Sequence, residues 1–169
     1  MSDHKANTVP EHRVTVAEIL GLLVDDGLVL KPDADVLIAE SRLRRQVAHP
    51  LTIIAEQKWK SQLPPHRPLA LDDLTEWFAS KVGLEYYHID PLKIDFTSVT
   101  DVMSSAYATR FGILPVRVTA QEVVVATVEP FLREWEKEIK PLVKKPIRRV
   151  VANPQDVARY LVEFYNLAR

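Results

Sequence analysis

The sequence contains no cysteine and only 4 glycines among 169 residues. The first absence excludes a disulfide framework, a thiol nucleophile and cysteine-ligated zinc, and it fits a reducing compartment, so a cytoplasmic location is expected. The second removes the phosphate cradle of an ATPase. A GxxxxGK[ST] loop needs clustered glycines so that backbone N–H groups can approach phosphate closely, whereas Gly21, Gly27, Gly83 and Gly112 are dispersed. A large net charge is missing too: 22 Lys+Arg stand against 23 Asp+Glu, and no global field gathers polyanions as a strongly basic nucleic-acid binder would. No apolar run approaches the ~20 residues that span a bilayer. The N-terminus, with Asp3, His4, Lys5 and Glu11, lacks the apolar stretch of a signal peptide. Direct membrane insertion is therefore not expected, and residues 1–13 read as a disordered leader.

What is present is an ordinary folding composition, 47% hydrophobic and 27% charged, far from the signature of disorder. The length suits one sizeable core or two small ones, and two subdomains are expected. Val16, Ile19, Leu20 and Leu23 recur at the spacing of one buried helix face. Thr15 and Glu18 match a capping pair at its start, and Gly27 supplies a left-handed residue after its last turn near Asp26. Pro32 suits a first helical position, and Val36, Ile38, Ala39, Leu43 and Val47 carry a looser pattern to His49, where Pro50 is expected to end it. A short helix through Leu51, Ile54 and Ala55 towards Trp59 follows, although Thr52, Ile53 and Ile54 leave a strand open. Three prolines among residues 62–68 read as a connector. The expected division is a helical subdomain over 14–63, a Pro-rich connector over 64–70 and an α+β domain over 71–169.

Leu71, Leu74, Trp77 or Phe78, and Val82 give a helix that Gly83 stops. Beyond it the period changes. Residues 85–89 look extended, 98–110 helical, 113–118 and 122–128 extended, 131–140 helical and 147–151 extended. Asn153 and Pro154 then cap a final helix with an apolar face of Val157, Tyr160, Leu161 and Phe164. The β-branched segments around Val116 and Val123 flank a short polar turn and predict an antiparallel hairpin. The fold class is α+β, with a split βαβ-like order, a C-terminal helix, and three strands or four, depending on whether residues 85–89 pair.

No catalytic residue and no metal ligand emerges. The 5 histidines, His4, His12, His49, His66 and His88, show no HExxH or i, i+4 pairing, and no GxSxG elbow is present. Asp90 and Asp95 could form an acid/base pair, but a carboxylate beside a proline and a helix start more simply accepts backbone N–H bonds. An RNA-binding reading would need aromatic platforms on the sheet, and the hairpin strands have none.

The stretch from Val82 through Gly83, Tyr86, Ile89, Asp90, Pro91, Leu92 and Lys93 to Asp95, followed by Arg110, Gly112, Ile113, Leu114, Pro115 and Val116, resembles the N-terminal domain of type II secretion and type IV pilus assembly ATPases. The resemblance spans about Leu71 to Phe164. It implies a non-catalytic docking or regulatory module that needs no cofactor and links a motor to the cytoplasmic part of an inner-membrane platform protein. It further implies a full-length ATPase that is a homo-hexamer through a motor downstream of Arg169, with no nucleic-acid partner. Some relatives bind cyclic di-GMP through paired RLGxxLVxxGxI segments. Here Leu23, Val24 and Gly27 match the centre of such a segment, while Glu18 stands in place of its arginine and Leu20 in place of its glycine. That makes a degenerate cyclic di-GMP sensor the alternative function. Lys140, Lys144, Lys145, Arg148 and Arg149 form the densest basic cluster. They could meet phosphate, anionic lipid or an acidic partner, or be solvated charges that protect a strand edge.

Overall fold

The structure, a computed structural model, describes residues 6–44 and 47–168. The described residues form two compact units, one within 14–74, the other of 6–13 and 75–168.

In the first unit, helix α1 (Val16–Asp25) buries Val16, Ile19, Leu20, Leu22 and Leu23, the stripe its period requires. Thr15 caps it by accepting the Glu18 N–H at 3.1 Å. Helix α2 (Lys31–Leu43) carries Pro32 in its first turn and buries Ala34 and Leu37. It ends earlier than the sequence pattern suggested, because Leu43 and Val47 are almost fully exposed and bury no apolar face. Pro50 does not close that helix. It opens the next one, α3 (Pro50–Ala55), whose first N–H is accepted by the preceding His49 ring. The strand alternative for Thr52–Ile54 is thereby excluded. Residues 59–69 fold back on themselves through a bridge between Lys60 and Pro68, with the Pro64–Pro65 peptide cis.

Helix α4 (Leu71–Val82) stops at Gly83, which adopts φ +77°. In the second unit the strands are β1 (Glu85–Tyr86), β2 (Ile113–Val118), β3 (Val123–Thr127) and β4 (Ile147–Val151), in the order β1-β4-β3-β2. The short first strand does pair: Glu85 lies beside Val150 and Tyr86 beside Val151, and the Tyr87 N–H donates to the Val151 carbonyl at 2.8 Å. The sheet therefore has four strands. β4 lies between β1 and β3 and runs parallel to both, while β2 and β3 form the expected antiparallel hairpin with an irregularity between Pro115 and Arg117. All five residues of β3 are buried. Successive strand residues face opposite ways, so both faces of β3 are covered, which explains a valine run in place of alternation.

Residues 98–110, one helix by periodicity, are two: α5 (Phe96–Thr100) and α6 (Ser105–Phe111), each begun by its own side-chain cap, Asp95 and Ser104. Helix α7 (Glu134–Val143) crosses between β3 and β4, and α8 (Pro154–Leu167) is capped by Asn153. Trp135 and Ile139 of α7 join Val157, Tyr160, Leu161 and Phe164 of α8 and the inner faces of the strands in one core. The Trp135 indole N–H, fully buried, donates to the Leu132 carbonyl at 3.1 Å.

Residues 6–13, read from the sequence as part of a disordered leader, are held on this second unit; residues 1–5 lie outside the described residues. Ala6 is buried and its N–H donates to the Val82 carbonyl at 2.9 Å. His12 stacks on Phe131 with ring centroids 4.6 Å apart. A polar sequence gave no sign of this, because its partners, Val82 and Phe131, lie far along the chain.

Candidate functional site

The basic cluster around β4 divides once the strand is formed. A strand turns consecutive side chains to opposite faces, so Arg148 and Arg149 cannot share a surface. Arg148 meets Glu122 at 3.1 Å and Glu85 at 3.3 Å, bridging β4 to its two neighbours' ends. Its hydrogen bond holds the Glu122 carboxyl below the usual carboxylate range.

Arg149 goes the other way and is buried, its side chain only 4% exposed. Its guanidinium donates to the Pro130 carbonyl at 2.5 Å and the Asn7 side chain at 2.9 Å, and pairs with Glu136 at 2.8 Å. Burial pushes the Glu136 carboxyl up despite the attraction of Arg149. Of the two arginines of the sequence cluster, Arg149 is thus buried among internal partners, whereas Arg148 is paired with Glu122 and Glu85 while keeping 42% of its side chain exposed.

Beside Arg149, Arg133 binds the carbonyls of Ala6 and Val9, the second at 3.0 Å. The Glu11 carboxylate accepts the backbone N–H groups of Arg133, at 2.8 Å, and Glu134, at 3.1 Å. Glu11 thus caps α7 from a distant part of the chain, at the end where the helix dipole favours an anion. No sequence signal announces this contact. The weak hint was Arg149 itself: in the sequence Ile-Arg-Arg-Val-Val one of two adjacent charges must face the covered side.

The lysines behave differently. Lys137, Lys140 and Lys144 line a shallow groove of about 530 Å3 with Pro141, Lys145 and Pro146, where α7 ends and the chain turns towards β4. Pro141 sits within the last turn of the helix, and Lys144, at φ +56°, closes it in the left-handed region. Lys137 pairs with Glu134 at 3.3 Å and Lys145 donates to the Thr119 carbonyl at 2.8 Å. Lys140 and Lys144 are exposed. The groove thus has two proline rings in its lining and ammonium groups along its rim.

The residues aligned with a cyclic di-GMP segment sit in the other unit. Leu23 and Leu20 are fully buried in its core and Val24 is half-buried. Gly27, at φ +76°, ends α1, with its N–H on the Val24 carbonyl and the Leu28 N–H on the Leu23 carbonyl. Asp90 and Asp95 are not paired with each other in an acid/base arrangement. Each accepts a backbone N–H two residues on, Leu92 at 3.1 Å and Thr97 at 3.2 Å. Among the described residues no group of three His, Asp or Glu gathers to hold a metal, and no helix is long and apolar enough to cross a membrane.

Set against known proteins, residues 82–169 match the MshEN domain. The chain is 36% identical over 149 residues to the type IV pilus assembly ATPase TfpB of Acinetobacter baylyi, covering 87% of this chain and 26% of that protein. It therefore spans about a quarter of that relative's length. Its fold is similar to a structure of MshE with cyclic di-GMP, at a TM-score of 0.59 and 13% identity, covering 90% of this chain and 100% of that one. It is similar also to the N-terminal domain of XpsE, at a TM-score of 0.52 and 16% identity, covering 90% and 98%. The class is that of the domains carried by secretion and pilus assembly ATPases. Within that class, the chain belongs to the MshEN domain family.

Proposed function

We propose that this domain docks a secretion or pilus assembly ATPase onto the cytoplasmic part of an inner-membrane platform protein and performs no chemistry itself. The observation that carries the reading is the match of residues 82–169 to the MshEN domain, joined to 36% identity with a pilus assembly ATPase of which this chain spans only 26%. The motor activity and hexameric assembly belong, on this reading, to the rest of such a protein. Biolayer interferometry with the 169-residue chain and an immobilised platform cytoplasmic domain tests it. Saturable binding in the micromolar range is expected, about −8 kcal/mol. Binding by the full ATPase but not by this chain places docking elsewhere.

A second reading, cyclic di-GMP sensing, is favoured by the family and by the similarity in fold to MshE with cyclic di-GMP. Against it stand Glu18 and Leu20 at the positions of the segment's arginine and glycine. Replacing an arginine removes the planar donor fork that grips phosphate and guanine. Isothermal titration with cyclic di-GMP separates the readings, and measurable heat that disappears in Gly27→Val supports sensing.

A further inference from the structure

The lysine groove at the end of α7 offers two exposed cationic side chains, Lys140 and Lys144, beside an apolar lining. Arg148, Arg149 and Arg133 are engaged by carboxylates and carbonyls of the chain. The remaining cationic groups of the cluster are three lysines, Lys140, Lys144 and Lys145, which line a concavity together with Lys137, Pro141 and Pro146. Lys145 and Lys137 are held by the Thr119 carbonyl and Glu134, leaving Lys140 and Lys144 exposed. Pro141 has no N–H, so the Lys137 carbonyl loses its ordinary helical donor in this same turn.

We propose that this groove binds an acidic segment of a protein partner, with an apolar side chain seated on the two prolines and flanking carboxylates facing Lys140 and Lys144. The proposal rests on the docking reading above and gives that docking a surface and a chemistry. Charge complementarity selects the occupant. Ammonium groups are point charges with rotatable donors, suited to several carboxylates in varied geometry, whereas specific phosphate or nucleotide recognition favours the planar fork of arginine. Neither arginine of the sequence cluster lines this groove: Arg149 is buried, and Arg148, partly exposed, is paired with Glu122 and Glu85. A concave site with an apolar lining also suits an inserted side chain better than a flat bilayer, and the chain as a whole, at net charge -1, supplies no field that draws it to anionic lipid.

The probe is a fluorescein-labelled peptide rich in Asp and Glu with interspersed leucines, titrated with the full 169-residue chain by fluorescence anisotropy. Saturable binding that weakens with rising salt is expected, with a loss of about tenfold in Lys140→Glu/Lys144→Glu. Lys140→Gln/Lys144→Asn serves as the second variant, because Asn tolerates the left-handed backbone at position 144 and neither change adds repulsion. A smaller loss is expected there, with the far-ultraviolet circular dichroism and melting transition unchanged to show that the fold is intact. Equal binding by wild type and both variants overturns the proposal, as does binding to phosphatidylserine vesicles or inorganic phosphate without binding to the peptide. The platform-protein assay distinguishes the two levels of the claim. Wild-type and charge-reversed chains binding the platform domain equally leaves docking intact and removes the groove from it, whereas no binding by either chain removes docking itself.

Discussion

Gly112 shows how much a single residue can decide. It ends α6 at φ +63°, and a Cβ there would lie 2.9 Å from a Val128 methyl and 3.3 Å from the Glu129 side chain. Backbone strain and a steric contact act together, so Gly112→Ala is expected to destabilise the domain by about 1–3 kcal/mol, read from urea denaturation. Glu122 gives a pH-dependent counterpart. Its folded value is depressed by Arg148, so its contribution is present above the unfolded carboxylate range and is lost as pH falls through the folded value. NMR titration should place this carboxyl below ordinary glutamates, and Glu122→Gln should flatten the acid limb of the stability profile. Glu136 has the opposite sign. Burial raises it, so whatever its protonation contributes is lost as pH rises. Neither direction can be read from residue types alone, since both depend on which face of β4 each arginine takes.

At the scale of elements, the terminal contacts of α7 are testable apart from the rest. Glu11→Ala removes the acceptor of two backbone N–H groups and should cost about 1 kcal/mol or somewhat more. The accompanying signature is faster hydrogen exchange at the amides of Arg133 and Glu134, which loss of a merely nearby charge would not produce. Elements built from local signals were legible in the sequence: α1 from its apolar stripe, α8 from Asn153 and Pro154, the β2–β3 hairpin from β-branched residues around a polar turn. Three features were not. The end of α2 depended on what Leu43 and Val47 fail to bury, the break between α5 and α6 on the side chain of Ser104, and the delayed start of α7 on Glu11. In each case the deciding contact is tertiary or lies in a short polar residue whose alternative roles look alike in sequence. The candidate surface was half legible for a related reason. Composition located the basic cluster, but only the two-residue period of β4 shows that Arg149 turns into the core while Arg148 faces the other way.

For the whole molecule, the decisive quantity is how the second unit is completed. Arg149 and Glu136 form a pair whose arginine is buried, with the Pro130 carbonyl and Asn7 each accepting from one terminal nitrogen of the guanidinium. Arg149→Ala leaves Glu136 without that partner and is expected to cost about 3 kcal/mol, whereas joint replacement, Arg149→Met with Glu136→Leu, should cost much less. A chain beginning at Val14 should lower the melting transition followed by circular dichroism by roughly 10 °C, since the Glu11 cap of α7, the carbonyl partners of Arg133 and the Asn7 partner of Arg149 leave together. An unchanged transition would show that residues 6–13 add nothing to the unit on which they lie.

Those residues also give the chain an unexpected topology. Arg13 is held by the Arg110 carbonyl at 2.6 Å, and the same compact unit resumes at Thr75. Val14–Leu74 is therefore not an N-terminal domain followed by another but an insertion, entered and left through one host fold. Such a segment is tethered at both ends, which limits the conformations open to it when unfolded. It could accordingly be exchanged as a cassette between relatives, provided the graft keeps Glu11 and Arg133 on the host side of its first joint.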